Sequence, residues 1–359
     1  MPPACIQNKD AQSKYTMPGR TSILIILMGS LGDLVRGMCL VSQLKTFLPQ
    51  SEITWLVEPK WAELVFRHKD IDRVVVFDRP GWPAGVVRLY QELSGQKFDL
   101  SLDLQRHFKS GFFSLLSRAK RRIGFHRKDA KEFNWIFNTE HIRPYPNDLS
   151  KIEHYLKFIE YLFQDSNPEL DFGFSDLVSA REDSVLSRQL QEPYTAVILG
   201  SSWESKEWPY EHYLQLTKRL LEDTRRRVVL LDVPAKRPMA EKLEAAVRSE
   251  RIINLVGQTS LIQLAAVLKS AEVAFGPDCG SAHLASAVQT PYVSVFGPTS
   301  PERTAPYGNQ CNVLQAGVSC APCYKRRCAL REKICMTGID AGSALDKIEQ
   351  ATFSTRLKN

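Results

Sequence analysis

Residues 23–33 read ILIILMGSLGD, an apolar run that ends in a glycine-bearing polar turn. An unbroken apolar run of this length is typical of a parallel strand that is buried on both faces. Apolar residues then recur with helical spacing over residues 34–47. The stretch therefore predicts a buried strand, a tight turn and a helix, which together form the first half of a βαβ unit.

The same alternation continues along the chain, with one interruption. A polar stretch at residues 165–193 predicts a linker. Strands are predicted on either side of it, at residues 53–57, 74–77, 100–104, 196–199, 228–231, 252–254, 272–275 and 292–296. The later strands alternate with helices predicted at residues 210–222, 261–270 and 281–288. Such alternation indicates parallel sheets with right-handed crossovers.

We therefore predict an α/β fold of two doubly wound, Rossmann-like domains that face each other across a central cleft. The N-terminal domain is assigned to residues 21–178 and the C-terminal domain to residues 190–359, after a disordered tail at residues 1–20. In folds of this class ligands bind at the carboxyl ends of the strands.

The composition is that of an ordinary globular protein. Its 359 residues are 43% hydrophobic, which suffices for two cores. No apolar run reaches the roughly 18 residues that a membrane-spanning helix needs. The run at residues 23–28 is also too short for a signal peptide, so we expect the chain to stay in the cytoplasm.

Positive charge is concentrated in two segments of the chain, whose formal net charge is +7. Residues 101–135 hold nine lysines and arginines against three acids, and residues 320–335 hold a second excess. Each segment is either a solvated basic face or a docking surface for a phosphorylated lipid or an anionic membrane. Nucleic acid is not expected, because aromatic stacking platforms at recognisable spacing are missing. The candidates for binding an anionic acceptor are Arg106, Lys109, Arg118, Lys120, Arg121 and Arg122.

Asp33 follows the first glycine turn, directly before the first predicted helix. One interpretation makes it the N-cap of that helix, a common position for aspartate. The other places its carboxylate at the mouth of the cleft as a general base. Dinucleotide binding is disfavoured, because the glycine spacing differs from G-x-G-x-x-G and a carboxylate would repel a pyrophosphate.

Two turns of the second domain are candidates for binding a diphosphate. Ser201, Ser202 and Lys206 follow its first predicted strand and could supply amides, hydroxyls and a positive charge. The second turn lies where a later strand gives way to a helix, whose free amides form an anion site. Its candidate residues are Asp278, Cys279, Gly280, Ser281 and His283. Asp278 would face sugar hydroxyls, and His283 could contact the diphosphate or fill a polar niche.

Four of the eight cysteines lie close together in sequence, at Cys320, Cys323, Cys328 and Cys335. This spacing could hold zinc or an iron–sulfur cluster, although the second pair is more widely spaced than in a zinc knuckle. An alternative function therefore stays open, namely that of a metal-stabilised binding protein without catalytic activity.

Taken together, the motifs resemble those of the bacterial lipopolysaccharide heptosyltransferases, glycosyltransferase family 9. The resemblance covers most of the chain, from about Ser22 to Asp340, and rests on several short motifs in a fixed order. These are residues 23–26 with 30–33, residues 98–105 with 109–110, residues 121–125, Ser202-Trp203 with Lys206-x-Trp208-Pro209, Asp278-x-Gly280-x-x-His283-Leu284-Ala285, Gly297-Pro298-Thr299 with Pro301, and residues 320–324.

The resemblance implies a GT-B fold and an inverting transfer that requires no metal or other cofactor. It implies that heptose moves from ADP-heptose to the inner core of lipopolysaccharide, at the cytoplasmic face of the inner membrane, where the enzyme associates peripherally. Asp33 matches the position of the family's base, and Asp278 that of a donor-sugar contact. The diphosphate contacts match Ser201, Ser202, Lys206, Cys279, Gly280, Ser281 and His283.

Two departures concern the donor. Residues 232–237 lack the glutamate that holds the donor nucleoside in the family, and Cys279 stands where threonine is common. A sugar-nucleotide epimerase or hydrolase on the same scaffold is the alternative enzyme.

Overall fold

The computed structural model describes residues 20–78, 84–146, 148–165, 169–174, 186, 190, 192–222, 226–330 and 332–356. The predicted tail up to residue 19 and the domain boundary at residue 178 lie outside the described residues. None of the described helices combines the length and the apolar character that crossing a bilayer demands.

The first domain is built on a six-stranded sheet with the order β3-β2-β1-β4-β5-β6, in which every neighbouring pair is parallel. Its strands are β1 (Ser22–Ile26), β2 (Glu52–Val57), β3 (Arg73–Val76), β4 (Leu100–Asp103), β5 (Arg121–Gly124) and β6 (Glu140–His141). Its helices are α1 (Leu31–Phe47), α2 (Pro59–Phe66), α3 (Ala84–Ser94), α4 (Phe108–Leu116) and α5 (Lys151–Phe163), with a 3₁₀ turn at Asn134–Phe137.

The second domain repeats this topology. Its sheet has the order β12-β11-β10-β7-β8-β9. Read from the opposite edge, this is the order of the first sheet, with β7 to β12 in the places of β1 to β6. The strands are β7 (Tyr194–Ile198), β8 (Arg227–Leu231), β9 (Ile252–Asn254), β10 (Val273–Pro277), β11 (Tyr292–Phe296) and β12 (Val313–Gln315). The helices are α6 (Tyr210–Leu220), α7 (Arg237–Val247), α8 (Leu261–Ser270), α9 (Gly280–Ala287), α10 (Pro301–Thr304), α11 (Ile334–Thr337) and α12 (Ala341–Arg356).

The apolar run of β1 serves two cores at once. Ile23 and Ile25 pack into one hydrophobic cluster, whereas Leu24 and Ile26 pack into another on the opposite face of the sheet. Successive side chains of a strand point to opposite faces, so a strand covered on both sides needs apolar residues at every position. The predicted architecture of two doubly wound domains is confirmed.

The two domains touch where two glycine turns meet, at the beginnings of α1 and α9. A Cβ atom at Gly32 would lie 2.8 Å from Cδ2 of His283, and one at Gly280 would lie 2.8 Å from Cβ of Leu31. Side chains other than hydrogen would therefore push the turns apart. Glycine at both positions lets the two helix N-termini come together.

Candidate functional site

The site lies at the switch points of both sheets. In each domain the strand order reverses between the first and fourth strands, β1 and β4 in one domain and β7 and β10 in the other. Ligands bind at such points, beyond the carboxyl ends of the strands. Asp33 follows β1, Ser201 follows β7 and Asp278 follows β10.

Asp33 is the third residue of α1, because the helix begins at Leu31 and its N-cap is Ser30. The interpretation of Asp33 as the N-cap is therefore corrected by three residues. Its Oδ2 accepts hydrogen bonds from the backbone N–H of Ser30, at 3.4 Å, and from the Ser30 hydroxyl, at 3.0 Å. Oδ1 lies 2.7 Å from Nη2 of Arg36.

The Asp33 carboxyl is held ionised. Burial alone would raise its pKa, but the charge and hydrogen bond of Arg36, with contributions from Lys151 and Ser30, lower it from 3.8 to about 2. A third of the side chain remains exposed. The carboxylate is thus negatively charged at every physiological pH and open to the cleft.

Arg36 joins the two domains. Its Nη1 donates to Nε2 of His283 at 2.5 Å. Because a guanidinium can only donate, this nitrogen of His283 carries no proton. Burial, followed by the charge of Arg36, lowers the pKa of His283 to about 3, so the imidazole is neutral. The contact connects Asp33 to the anion turn predicted in the second domain.

Lys206 and Asp278 form a pair on the donor side of the cleft. Lys206 Nζ lies 2.6 Å from Asp278 Oδ2, and the two side chains are 12% and 6% exposed. The hydroxyls of Thr299 and Thr304 donate to the same oxygen. Burial would raise the pKa of Asp278, but Lys206, His283 and Thr299 lower it. Asp278 is therefore a fixed carboxylate.

The other predicted donor residues surround this pair. The Ser201 hydroxyl donates to the backbone oxygen of Asp278 at 3.1 Å, and Ser202 is exposed beside it. Cys279 is the N-cap of α9, and Gly280 and Ser281 are the first residues of that helix. Burial raises the pKa of the Cys279 thiol to about 11, so it is uncharged.

The loop that carries the four cysteines supports the Lys206 turn. The Ser205 hydroxyl donates to the Lys325 carbonyl at 2.6 Å, and the Ser205 N–H donates to the Arg326 carbonyl at 3.2 Å. All four cysteines belong to the described chain. Within that part of the chain, no three His, Cys, Asp or Glu side chains are arranged to hold a metal ion.

The predicted acceptor residues separate into two groups. Arg121 and Arg122 begin β5, at the amino end of the sheet and therefore opposite the site. Arg121 pairs with Glu140 at 2.6 Å, and Arg122 donates to backbone oxygens. Arg106 and Lys109 lie at the carboxyl end. Arg106 donates to the Tyr145 hydroxyl at 3.1 Å, and Lys109 lies 3.6 Å from Glu58.

Three cations that sequence reasoning missed line a cavity of about 500 Å³ between the domains, namely Arg36, Lys151 and Arg303. The Nε atoms of Arg36 and Arg303 are buried and have no hydrogen-bond partner in the described part of the chain. Burial and the charges of Arg106, Arg36 and Arg303 lower the pKa of Lys151 from 10.5 to about 7, against the opposing effect of Asp33. The same cavity is also lined by the acids Glu153 and Glu302, so its lining carries three basic and two acidic side chains.

Two acids and a lysine were also missed near the donor turn. Lys236 pairs with Glu207 and lies against Gly200. Asp232 follows β8, and its Oδ2 is buried with no hydrogen-bond partner among the described residues. Rossmann-like folds place an acid near this point, after the second strand, to bind a ribose. This rule could have identified Asp232 from the sequence as a candidate for binding a ribose.

Comparison with known proteins agrees with this arrangement. The profile of glycosyltransferase family 9 (heptosyltransferase) matches residues 86–334. The lipopolysaccharide core heptosyltransferase OpsX of Haemophilus influenzae is 28% identical over 299 residues, which cover 82% of this chain and 84% of that protein. Lipopolysaccharide heptosyltransferase 1 of Pseudomonas aeruginosa is 27% identical over 321 residues, covering 85% and 87%.

Among solved structures, ADP-heptose lipopolysaccharide heptosyltransferase II of Escherichia coli superposes with a TM-score of 0.77 at 21% identity, covering 94% of this chain and all of that one. The E. coli heptosyltransferase WaaC with ADP also superposes with a TM-score of 0.77, at 20% identity, and the match covers 92% of this chain and 100% of that one. These likenesses establish the GT-B fold. The family profile spans more than half of the chain, which therefore belongs to glycosyltransferase family 9, the heptosyltransferases.

Proposed function

We propose that this glycosyltransferase moves heptose from ADP-heptose to the inner core of lipopolysaccharide, with inversion at the anomeric carbon. The observation that carries the proposal is the contact of Arg36 with both Asp33 and His283, which unites a base and an anion turn in one cleft. Relatives named as lipopolysaccharide heptosyltransferases, and solved relatives with ADP, support the donor and the acceptor.

The donor diphosphate rests on the first turn of α9, at Cys279–Ser281, where free amides and the helix dipole favour negative charge. Lys206, Ser201 and Ser202 complete the clamp. Three donors already occupy Oδ2 of Asp278, so its Oδ1 is the oxygen that accepts from the hydroxyls of the sugar. Asp232 substitutes for the family's missing glutamate and binds the ribose.

Transfer is a single displacement. The acceptor hydroxyl oxygen forms a bond to the anomeric carbon while the bond from that carbon to the diphosphate oxygen breaks. The bonding electron pair leaves with ADP, whose charge is stabilised by the α9 amides and Lys206. The hydroxyl proton passes to Asp33. A positioned base of this kind contributes about 10²–10⁴-fold to the rate.

The acceptor is a phosphorylated, lipid-linked saccharide. Its anionic groups bind in the cavity lined by Arg36, Lys151 and Arg303, beside Asp33. The Nε atoms of the two arginines are buried without a hydrogen-bond partner among the described residues, and burial together with neighbouring cations lowers the pKa of Lys151, so a bound anion would stabilise the charges of all three side chains. Since the acceptor is anchored in a membrane, the enzyme works at the cytoplasmic face of the inner membrane as a peripheral protein.

The test uses ADP-heptose and heptose-free lipopolysaccharide, with ADP release and product mass as readouts. Asp33→Asn should lower kcat at least about 10²-fold and leave the Kd for ADP within about twofold. Turnover of that variant close to wild type would remove Asp33 as the base. A change in the donor sugar without acceptor would instead identify an epimerase or hydrolase.

A further inference from the structure

Four large apolar side chains project into solvent from one corner of the first domain. They are Phe133, Ile136, Phe108 and Trp135, which are 72%, 55%, 50% and 37% exposed, respectively. We call these four residues the aromatic corner. Single exposed apolar residues are ordinary on protein surfaces, but a contiguous group marks an interaction site.

Hydrogen bonds hold the corner together. Both Glu132 and Asn134 are bound to the start of α4, Glu132 through the N–H of Phe108 at 3.2 Å and Asn134 through the carbonyl of His107 at 2.8 Å. Phe133 lies between them in sequence, so its backbone is held near the start of α4. The Phe108 ring in turn packs edge-on against Phe137, with centroids 5.0 Å apart.

The backbone keeps Phe133 pointing outward at a cost. Glu132 and Phe133 have φ angles of 51° and 56°, in the left-handed region that bulky side chains rarely adopt. The buried Asn134 side chain opposes any relaxation, because it also binds Asp103 at 2.5 Å. Exposure of this ring is thus built into the fold.

Positive charge surrounds the corner. Between Arg106 and Phe137 the sequence has nine lysines and arginines and only two acids, and three of the cations, Lys109, Lys120 and Arg121, pair with carboxylates outside this segment. One of those acids, Glu132, is already bound to His107 and Phe108. Arg127, Lys128 and Lys131 are exposed, and none of them has an ion-pair partner among the described carboxylates.

We propose that the aromatic corner inserts into the interfacial layer of an anionic membrane while Arg127, Lys128 and Lys131 bind lipid phosphates. Aromatic side chains favour that layer, and apolar insertion combined with basic residues is how peripheral proteins bind anionic bilayers. A second copy of the chain fits less well. A two-fold interface would bring the same positive patch against itself.

The position of the corner suits delivery of the acceptor. Helix α4 begins shortly after the carboxyl end of β4, the edge of the sheet at which Asp33 also lies. Arg106 lies between the corner and the cavity. Its carbonyl accepts a hydrogen bond from the backbone N–H of Lys131 at 2.8 Å, and its charge lowers the pKa of Lys151 in the cavity. In relating the corner to a lipid-anchored acceptor, the inference rests on the proposed function.

The test is co-sedimentation of the full chain with vesicles. Wild type should bind vesicles of phosphatidylethanolamine with phosphatidylglycerol and leave phosphatidylcholine vesicles largely unbound. The double variant Phe133→Ser/Ile136→Ser should bind the anionic vesicles about tenfold or more weakly, because two apolar side chains no longer insert. The matched control is Phe66→Ser/Phe353→Ser, which changes side chains of similar exposure, 72% and 65%, on α2 and α12. It should bind within about twofold of wild type.

Equal binding by the corner variant and wild type would overturn the inference, as would equal loss in the control or no vesicle binding by wild type. A change in molar mass by light scattering in the corner variant would identify an interface between copies instead. ADP affinity and transfer to a delipidated acceptor without vesicles report on the proposed function alone. Failure of those two with vesicle binding intact would reject the proposed function and keep the membrane surface.

Discussion

Replacing Arg36 by methionine should raise the pKa of Asp33 and make catalysis sensitive to mild acid. Three residues lower the pKa of Asp33. Among them, Arg36 acts both through its charge and through a hydrogen bond, whereas Lys151 acts through charge and Ser30 through a hydrogen bond. Methionine has a similar length and no charge. It removes the 2.7 Å ion pair and leaves the burial that favours the neutral acid.

The size of the effect follows from the balance of these influences. In the wild type a pKa of about 2 leaves Asp33 almost fully ionised at pH 4.5. Losing an opposite charge at this distance raises a carboxyl pKa by about 1–3 units, to roughly 3–5. A group of depressed pKa is ionised above that pKa, so its base form is lost as the pH falls through it. At pH 4 the variant should therefore lose between about a tenth and nine-tenths of its base form, whereas the wild type loses about a hundredth.

The assay is kcat/KM as a function of pH from 4 to 8, each enzyme normalised to its own value at pH 7.5, with circular dichroism to confirm folding. The Arg36→Met profile should bend downward at acid pH, where wild type shows no bend due to this group. Arg36→Lys keeps the charge and should resemble wild type. A flat Arg36→Met profile in a folded protein would show that Arg36 does not control the ionisation of Asp33.

Two further predictions concern the substrates. Because burial and neighbouring cations lower the pKa of Lys151 to about 7, this lysine loses its charge above that pH, and KM for the anionic acceptor should rise about three- to tenfold between pH 6.5 and 8. Lys151→Met should abolish this rise in KM, whereas the control Lys157→Met, on the outer part of the same helix, should retain it. If KM depends on pH equally in both variants, Lys151 is excluded as the cause. Asp232→Ala should raise KM for ADP-heptose about 10–100-fold with a smaller change in kcat, the usual loss for a hydrogen bond to a charged group, and an unchanged KM would remove Asp232 from the ribose site.

The architecture and the two polar turns of the second domain could be predicted because their signals are local. The apolar run of β1 is continuous because both faces of the sheet are covered, and the turns after β7 and β10 combine small residues with a following helix. Lys206 and Asp278 were each predicted from their own turn. Their direct pairing requires the switch-point geometry, which brings β7 and β10 side by side.

The arrangement of the basic side chains around the cleft could not be predicted in this way. Arg121 and Arg122 lie near Arg106 in sequence, but β5 separates them from the site by the length of the sheet. This strand has four residues and begins with two arginines, so it carries no apolar signal. Conversely, Arg36, Lys151 and Arg303 come from three distant segments, and only folding brings them to one cavity. Ser150 and Glu153 form a capping box that indicates the start of α5, without indicating where Lys151 points.

The two helix N-termini that meet in the cleft differ in charge. This difference supports the proposal that α1 supplies the base and α9 binds the diphosphate. Each N-terminus carries a partial positive charge from its unpaired amides. In α1 that charge is already balanced, since Asp33 lies in the first turn and bonds back to Ser30. The first turn of α9 has no acid, and its histidine is neutral. The α9 terminus is therefore free to take an external anion, whereas α1 presents a carboxylate that would repel one. A diphosphate is therefore favoured on the α9 side of the cleft, and this supports the proposed role of Asp33 towards the acceptor hydroxyl.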